Sequence, residues 1–265
     1  MKSSILRKIP GRLFYLFMVC CLLMSSHIYA QQKLFYQLKV YRLKDQAQQE
    51  RVDHFLKTAY VPALHKAGIK QVGVFRSLET DTSGPRMYVL IPFHTLDDLV
   101  QLNRTLLQDK TYLSAGSDYL NAAYDHAPYE RMESIILEAF PGPPQPVKPE
   151  LSAPMQERIY ELRSYEGPTE QYHASKIKMF TVGNEIGLFK RLNFNGIFYT
   201  EVISGSHMPN LMYMTSFNNM EDREKHWKAF FSDPEWKKLS AMPEYQHNVS
   251  KANIFFLHPA DYSDL

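Results

Sequence analysis

The chain has 265 residues, 30 of them basic and 28 acidic, which gives a formal net charge of +2. A charge balance this close to neutrality provides no electrostatic footprint for nucleic acid and no basic helix for a membrane surface. Both cysteines, Cys20 and Cys21, lie within the first 30 residues, so the rest of the chain contains no disulfide, no cysteine nucleophile and no cysteine metal ligand.

Residues 1–30 have the layout of a secretory signal peptide. Four basic residues and no acidic one precede a 12-residue apolar run, Leu13–Met24. A cleavage point follows this run at Ala30. The run is short for a membrane span, which needs about 20 residues. Loss of the segment leaves 26 basic against 28 acidic residues. We predict an exported protein, periplasmic or secreted; an uncleaved N-terminal anchor is the alternative.

The mature protein is therefore expected to begin near Gln31, because signal peptidase cuts after small residues such as Ala30. N-terminal sequencing or intact-mass measurement of the protein from its native host checks this prediction. A mature chain that still begins at Met1 would contradict it.

Residues 31–140 are predicted to form one β-α-β-β-α-β repeat. Its first helix contains Pro62, which lacks a backbone donor and predicts a kink or break at that point. Thr95 and Asp98 have the spacing of a helix cap and predict the start of the second helix. An inserted helix or loop at 114–129 precedes the last strand.

Residues 141–155 form a proline-rich linker, with prolines at 141, 143, 144, 146, 149 and 154. Repeated prolines restrict the backbone and remove hydrogen-bond donors, so the linker is predicted to be extended and semi-rigid. It separates two halves of ordinary domain size.

Residues 156–265 repeat the β-α-β-β-α-β order. The predicted strands are Arg158–Tyr165, Gly196–Ile203, Asn210–Phe217 and about Val249–Leu257. Apolar periodicity predicts one continuous helix over Glu170–Arg191, with positions 174, 178, 181 and 185 on its solvent face. Asn219 is predicted to cap the next helix, with Asp222 in its first turn.

The two halves share one sequence register, offset by 124 residues. Phe93-His94-Thr95-Leu96-Asp97-Asp98 corresponds to Phe217-Asn218-Asn219-Met220-Glu221-Asp222, and the first strands correspond likewise. An ungapped register over such a length indicates a tandem duplication. The predicted fold class is α+β: two tandem ferredoxin-like repeats, each with a bare sheet face. Burial of those faces against each other predicts a dimeric-α/β-barrel-type pseudo-dimer, a closed eight-stranded barrel surrounded by helices.

The second half resembles the NIPSNAP family of dimeric α/β-barrel proteins over 156–258. The resembling segments are Tyr160–Tyr165, Leu211–Phe217, Asp222–Phe230 and Asp233–Trp236. The first half resembles the family more weakly, since Asn103 and Tyr112 replace Trp227 and Trp236. The resemblance implies the barrel fold and pairing of the halves. It implies little chemistry, although relatives of that fold include cofactor-free monooxygenases and haem enzymes.

The strand charges are the first candidate functional feature. Period-two alternation places Glu161 and Arg163 on one face of the first strand of the second half, together with Tyr165. In a closed barrel with helices outside, neither face meets bulk water freely. We therefore expect both charges to be paired, either in an ion-pair ladder or beside a polar cavity.

A ligand site is hypothesised in the second half, lined by Arg163, Tyr165, His173, Tyr199 and Glu201. His173 is predicted either to be a boundary histidine bonded to the backbone, or to shuttle a proton or ligate a haem iron. The aromatic residues Trp227 and Trp236 are interpreted as core packing, with a ligand lid as the alternative.

Three functions remain open. The first is binding, without catalysis, of a small apolar or aromatic molecule or of a partner protein. The second is a cofactor-independent monooxygenase or isomerase, and the third is a haem-binding barrel with His173 as axial ligand. We expect no cofactor, no metal site, no nucleic acid partner and no stable membrane span after signal cleavage. The sequence leaves homo-oligomerisation open, and it does not decide whether the protein is an enzyme.

Overall fold

The computed structural model describes residues 34–78, 84–141 and 148–265. The predicted signal peptide lies outside the described residues, as does the part of the proline-rich linker at 142–147. The eight strands are β1 Phe35–Arg42, β2 Gly73–Ser77, β3 Arg86–Phe93, β4 Arg131–Ala139, β5 Ile159–Glu166, β6 Asn195–Ser204, β7 Asn210–Phe217 and β8 Lys251–Pro259.

The strands form a closed barrel in the order β1-β3-β2-β8-β5-β7-β6-β4, with every neighbouring pair antiparallel. Each half contributes one four-stranded sheet, and the halves join at the β2–β8 and β4–β6 seams. The predicted fold of two ferredoxin-like repeats closed into one barrel is confirmed. Closure removes the four edges that two separate sheets would expose.

Aromatic side chains cross between the halves inside the barrel. The ring of Tyr36 lies 5.7 Å from that of Phe198, and the ring of Tyr160 lies 4.8 Å from that of Phe75. Tyr36 and Tyr160 occupy equivalent positions in the two repeats, so each repeat supplies one of the two tyrosines. Each repeat therefore completes the core of the other.

The C-terminal segment closes one end of the barrel. Leu265 is 1% exposed and packs with the interior residues of both halves. The backbone N–H of Ala260 donates to the carbonyl of Val74 at 2.8 Å, and the N–H of Asp264 donates to that of Val72 at 3.1 Å. These bonds fasten the end of the second half onto the first half.

The helices of the first half are α1 Gln46–Phe55, α2 Val61–Lys66, α3 Leu96–Leu106, α4 Lys110–Ala115 and α5 Ser117–Leu120. A π-helical turn, Leu56–Tyr60, separates α1 from α2 directly before Pro62, where a kink or break was predicted. Proline has no N–H for the regular ladder, and a wider turn accommodates that loss. Thr95 and Asp98 form a reciprocal capping box at α3, as predicted.

The helices of the second half are α6 Glu170–Thr181, α7 Glu185–Arg191, α8 Met220–Ser232 and α9 Pro234–Ser240. The prediction of one helix over 170–191 is wrong, because Asn184 adopts the left-handed conformation with φ of 63° and separates α6 from α7. Asn219 caps α8 as predicted, accepting a hydrogen bond from the N–H of Asp222. Among the described residues, no helix is long and apolar enough to cross a membrane.

Candidate functional site

A buried carboxylate organises the space between the second-half sheet and its helices. Glu161 on β5 is fully buried and accepts a hydrogen bond from Arg163 Nε at 2.6 Å. Arg223 on α8 donates to it through Nε at 2.9 Å and Nη2 at 3.0 Å. The indole N–H of Trp227, one turn further along α8, donates to Oε2 at 2.8 Å. The predicted pairing of Glu161 and Arg163 is confirmed, and α8 supplies two further partners.

The electrostatics of this cluster follow from its geometry. Burial by itself would raise the pKa of Glu161, but the guanidinium groups of Arg223 and Arg163 and the indole of Trp227 together hold that pKa below its usual value. The guanidinium carbon of Arg163 also lies 3.7 Å from the centre of the Trp227 ring. A stacked, hydrogen-bonded guanidinium is well suited to a buried ion pair. The cluster therefore holds α8 against β5 through a buried ion pair and hydrogen bonds.

A second buried ion pair lies where α6 and α7 meet. Lys176 Nζ is 3.0 Å from Glu185 Oε2, and both side chains are almost fully buried. Burial raises the pKa of Glu185 despite the neighbouring ammonium group. The prediction that position 185 faces solvent is wrong, because the break at Asn184 changes the helical phase and turns Glu185 inward.

Three of the predicted ligand residues lie together in a packed layer. Arg163 Nη1 donates to the Tyr165 hydroxyl at 2.9 Å, and that hydroxyl lies 2.9 Å from the hydroxyl of Tyr213. Tyr199 stacks on Tyr213 with ring centres 5.8 Å apart. These groups occupy the outer face of the sheet beneath the helices, and none of Arg163, Tyr165 and Tyr199 lines a cavity described below.

The other two predicted ligand residues, His173 and Glu201, line a surface cavity of about 320 Å³ between α6 and β6. His173 Nε2 lies 3.3 Å from Glu201 Oε1, although the geometry is not that of a hydrogen bond. Neither ring nitrogen of His173 has a hydrogen-bond partner among the described residues. Within the same described ranges, no group of three or more His, Cys, Asp or Glu side chains is arranged to hold a metal ion.

The open end of the barrel holds another cavity of about 320 Å³, which lies between the two halves. Its apolar lining comes from both halves: Val40, Tyr88, Ile135, Leu162, Met212 and Phe255. Its polar lining consists of Arg42, Arg86, Glu133, Ser164, Ser206, His207, Asn210, Lys251 and Asn253. We call this cavity the barrel mouth. Mouths of β-barrels are common ligand sites.

Polar groups at the barrel mouth are fixed by hydrogen bonds between neighbouring strands. Ser164 and Asn210, both buried, exchange hydrogen bonds of 2.8 and 3.1 Å across β5 and β7. Arg42 pairs with Glu133 at 2.6 Å across β1 and β4. Lys251 lies 4.0 Å from Glu166, which also accepts a hydrogen bond from Asn253. The rim is therefore largely preorganised.

The sequence contained a weak signal for the barrel mouth. The offset of 124 residues aligns Arg86 with Asn210 and Tyr88 with Met212. In both cases the aligned side chains differ in chemistry. A duplicated barrel places such positions around one opening. The predicted ligand site lies in the second half alone and so lacks the residues that the first half contributes to the mouth.

A cavity larger than the barrel mouth, about 560 Å³, is a groove in the first half. It runs between α3 and the end of α2, and most of its polar residues, among them Lys70, His94 and Gln101, are solvent-exposed. A wide groove with exposed polar walls gives a ligand little burial, so its volume does not make it the strongest site.

The family comparison concerns the second half, which contains the Glu161 cluster. The NIPSNAP family model matches residues 160–264. Residues 160–264 are therefore similar to a NIPSNAP domain. The matched segment spans β5 to β8, the Glu161 cluster and the His173 cavity, whereas the barrel mouth requires the first half as well. No curated protein sequence matches the chain.

Solved structures share the barrel across both halves. A candidate monooxygenase from Fusobacterium nucleatum has a TM-score of 0.55 at 8% identity, covering 86% of this chain and 93% of its own. One from Lactobacillus acidophilus scores 0.51 at 12% identity, covering 86% and 94%. An anthrone oxidase-like protein scores 0.52 at 8% identity, covering 88% and 94%. At these identities the likeness of the two halves to these structures extends to the fold alone.

Proposed function

We propose that this barrel binds a small molecule with an apolar body and an anionic group, held at the barrel mouth, and that it does so as an exported protein. The observation that carries the proposal is the composition of that cavity. Apolar side chains from both halves form its floor, and its polar rim includes the basic side chains Arg42, Arg86 and Lys251. Ligand pockets are typically apolar cavities with a few placed polar groups.

The shape of the barrel supports a ligand that enters from one side. Leu265 and its neighbours close the opposite end, so the apolar floor is reached from the open end. The cavity volume of about 320 Å³ lies at the lower end of the about 300–1,000 Å³ usual for ligand pockets. A single short acyl chain or one aromatic ring system suits this space.

The rim favours an anion because its basic groups outnumber its acids. Three basic side chains, Arg42, Arg86 and Lys251, line the mouth together with one carboxylate, Glu133, and Glu166 lies beside Lys251. His207, whose side chain is 57% exposed, lies at the same rim, 3.5 Å from Glu166. The partly desolvated rim strengthens attraction to a carboxylate compared with bulk water.

Calorimetric titration with decanoate, and with decanol as the uncharged match, tests the proposal. We expect decanoate to bind and decanol to bind more weakly, because only decanoate meets the basic rim. Lys251→Gln and Arg86→Gln should each weaken decanoate binding by about tenfold, or about 1.4 kcal/mol. Lys251 is largely exposed, so its replacement is not expected to disturb the fold.

Lys70→Gln is the matched control, since it removes one positive charge from the first-half groove and leaves the barrel mouth unchanged. It should leave decanoate affinity unaltered. Equal affinity for decanol and decanoate, or equal weakening by Lys70→Gln, would overturn the proposal.

A further inference from the structure

The first-half counterpart of Arg163 is Lys39, and it has a different environment. The offset of 124 residues aligns Lys39 with Arg163 and Gln37 with Glu161, so the first half has no carboxylate at the equivalent position. Among the described residues, no carboxylate oxygen lies within 4.0 Å of Lys39 Nζ. Its amine instead lies 3.4 Å from the Tyr60 hydroxyl.

Aromatic rings form the surroundings of this amine. Lys39 Nζ lies 4.6 Å from the centre of the Tyr60 ring and 5.7 Å from that of Tyr41. Phe55 and Tyr112 pack on Tyr60 behind it, with ring centres 5.7 and 6.3 Å from Tyr60. Tyr60 is the last residue of the π-helical turn, and such turns occur frequently at functional sites.

Lys39 remains within reach of solvent. Most of its surroundings are protein atoms, yet part of its side-chain surface is exposed. Its partner across β1 and β4 is Ser134, which is exposed. A small reagent can therefore approach the amine along β4.

We infer that Lys39 is a nucleophilic amine that condenses with small aldehydes to form an imine, assisted by the Tyr60 hydroxyl. The neutral nitrogen attacks the carbonyl carbon, and the oxygen takes a proton to give a carbinolamine. The C–O bond then breaks, the oxygen leaves as water, and the nitrogen loses its remaining proton as the C=N bond forms. One amine and one aldehyde thus give one imine and one water, without an added cofactor.

The charge state of the amine agrees with this role. Burial lowers the pKa of Lys39 to about 8, because the aromatic surroundings desolvate the ammonium form. The facing groups are Tyr41 on β1, Tyr60 on the π-helical turn, Val89 on β3 and Ser134 on β4. Burial raises the pKa of both tyrosines, so neither hydroxyl ionises where Lys39 loses its proton.

Reductive trapping with propanal and cyanoborohydride, followed by peptide mass spectrometry, tests the inference on the whole chain. At pH 7.5 an ordinary lysine is neutral in about one molecule in a thousand, whereas an amine of pKa about 8 is neutral in about a quarter. Lys39 should be labelled at least about tenfold faster than Lys57 and Lys66, which are exposed and paired with carboxylates.

The pH profile separates reactivity from exposure alone. The labelling rate of Lys39 should rise with a midpoint near pH 8, well below the value of an ordinary lysine amine. Tyr60→Phe should slow the labelling of Lys39 several-fold, while Lys39→Arg should remove that product and leave the other lysines unchanged. Labelling of Lys39 no faster than that of Lys57, or a midpoint near the ordinary lysine value, would overturn the inference.

Discussion

Glu161→Ala is expected to lower the free energy of unfolding by about 3–5 kcal/mol. The carboxylate is fully buried and accepts hydrogen bonds from Arg163, Arg223 and Trp227. Its removal leaves two buried guanidinium groups without a counter-charge, and that uncompensated burial is more costly than the lost hydrogen bonds alone. Chemical denaturation of the purified variant, analysed at constant m-value, measures the effect.

A matched control is available on the same helix. Glu221 and Lys225 form an exposed pair at 2.7 Å on α8, close in sequence to Arg223. Glu221→Ala removes one carboxylate from an ion pair that water already solvates, so the denaturation midpoint should barely move. A Glu161→Ala variant as stable as Glu221→Ala would show that the two arginines do not depend on Glu161.

The stability difference between wild type and Glu161→Ala should depend on pH in one direction. The pKa of Glu161 is lower in the folded protein than in the unfolded chain, where it is about 4.3. A depressed pKa contributes stability above the unfolded value, and that contribution disappears as pH falls through the folded value. The difference should therefore be full at neutral pH and shrink below about pH 4.

The first half alone, residues 34–140, is expected to aggregate or to dimerise rather than fold as a monomer. Without the second half, the inner sheet face exposes Tyr36, Leu38, Val40, Phe75, Tyr88, Leu90, Ile135 and Leu137. Each large apolar side chain loses about 1.5–3 kcal/mol on exposure. Together these losses exceed the about 5–15 kcal/mol that holds a typical domain folded.

Size-exclusion chromatography with light scattering measures the state of this fragment, and hydrogen exchange measures its order. The control is the full chain with a protease site placed between Phe140 and Met155. After cleavage the halves should still elute together, since the β2–β8 and β4–β6 seams do not involve the connecting segment. A stable monomeric fragment with strong exchange protection would refute the idea that the halves need each other.

The two repeats have diverged in a coordinated way. Glu161, Arg223 and Trp227 act as one cluster, and the offset of 124 aligns them with Gln37, Leu99 and Asn103. The first half thus lacks all three residues of the cluster. This is the expected result if the stabilising effect of each residue depends on the other two. The space in the first half is filled instead by Lys39 and a group of tyrosines that includes Tyr60.

The sequence by itself determined the order of the strands, the helix caps and the closure of the barrel, because each depends on local chemistry. The duplication fixes the number and order of strands, and period-two alternation correctly places Glu161 and Arg163 on the same face of β5. The caps at Thr95 and Asn219 follow from side chains that reach their own backbone within one turn. Barrel closure follows because each repeat has one uncovered apolar sheet face.

Tertiary structure alone decided the features that join distant segments. Arg223 meets Glu161 across 62 positions of the chain, a separation that no local period encodes. Asn184 takes a left-handed conformation that breaks the predicted helix, and Glu185 turns inward to meet Lys176. The barrel mouth exists only where strands of both halves converge, so its lining depends on closure of the barrel. Pairing register and helix phase are set by packing across the whole fold, whereas the sequence pattern specifies each element separately.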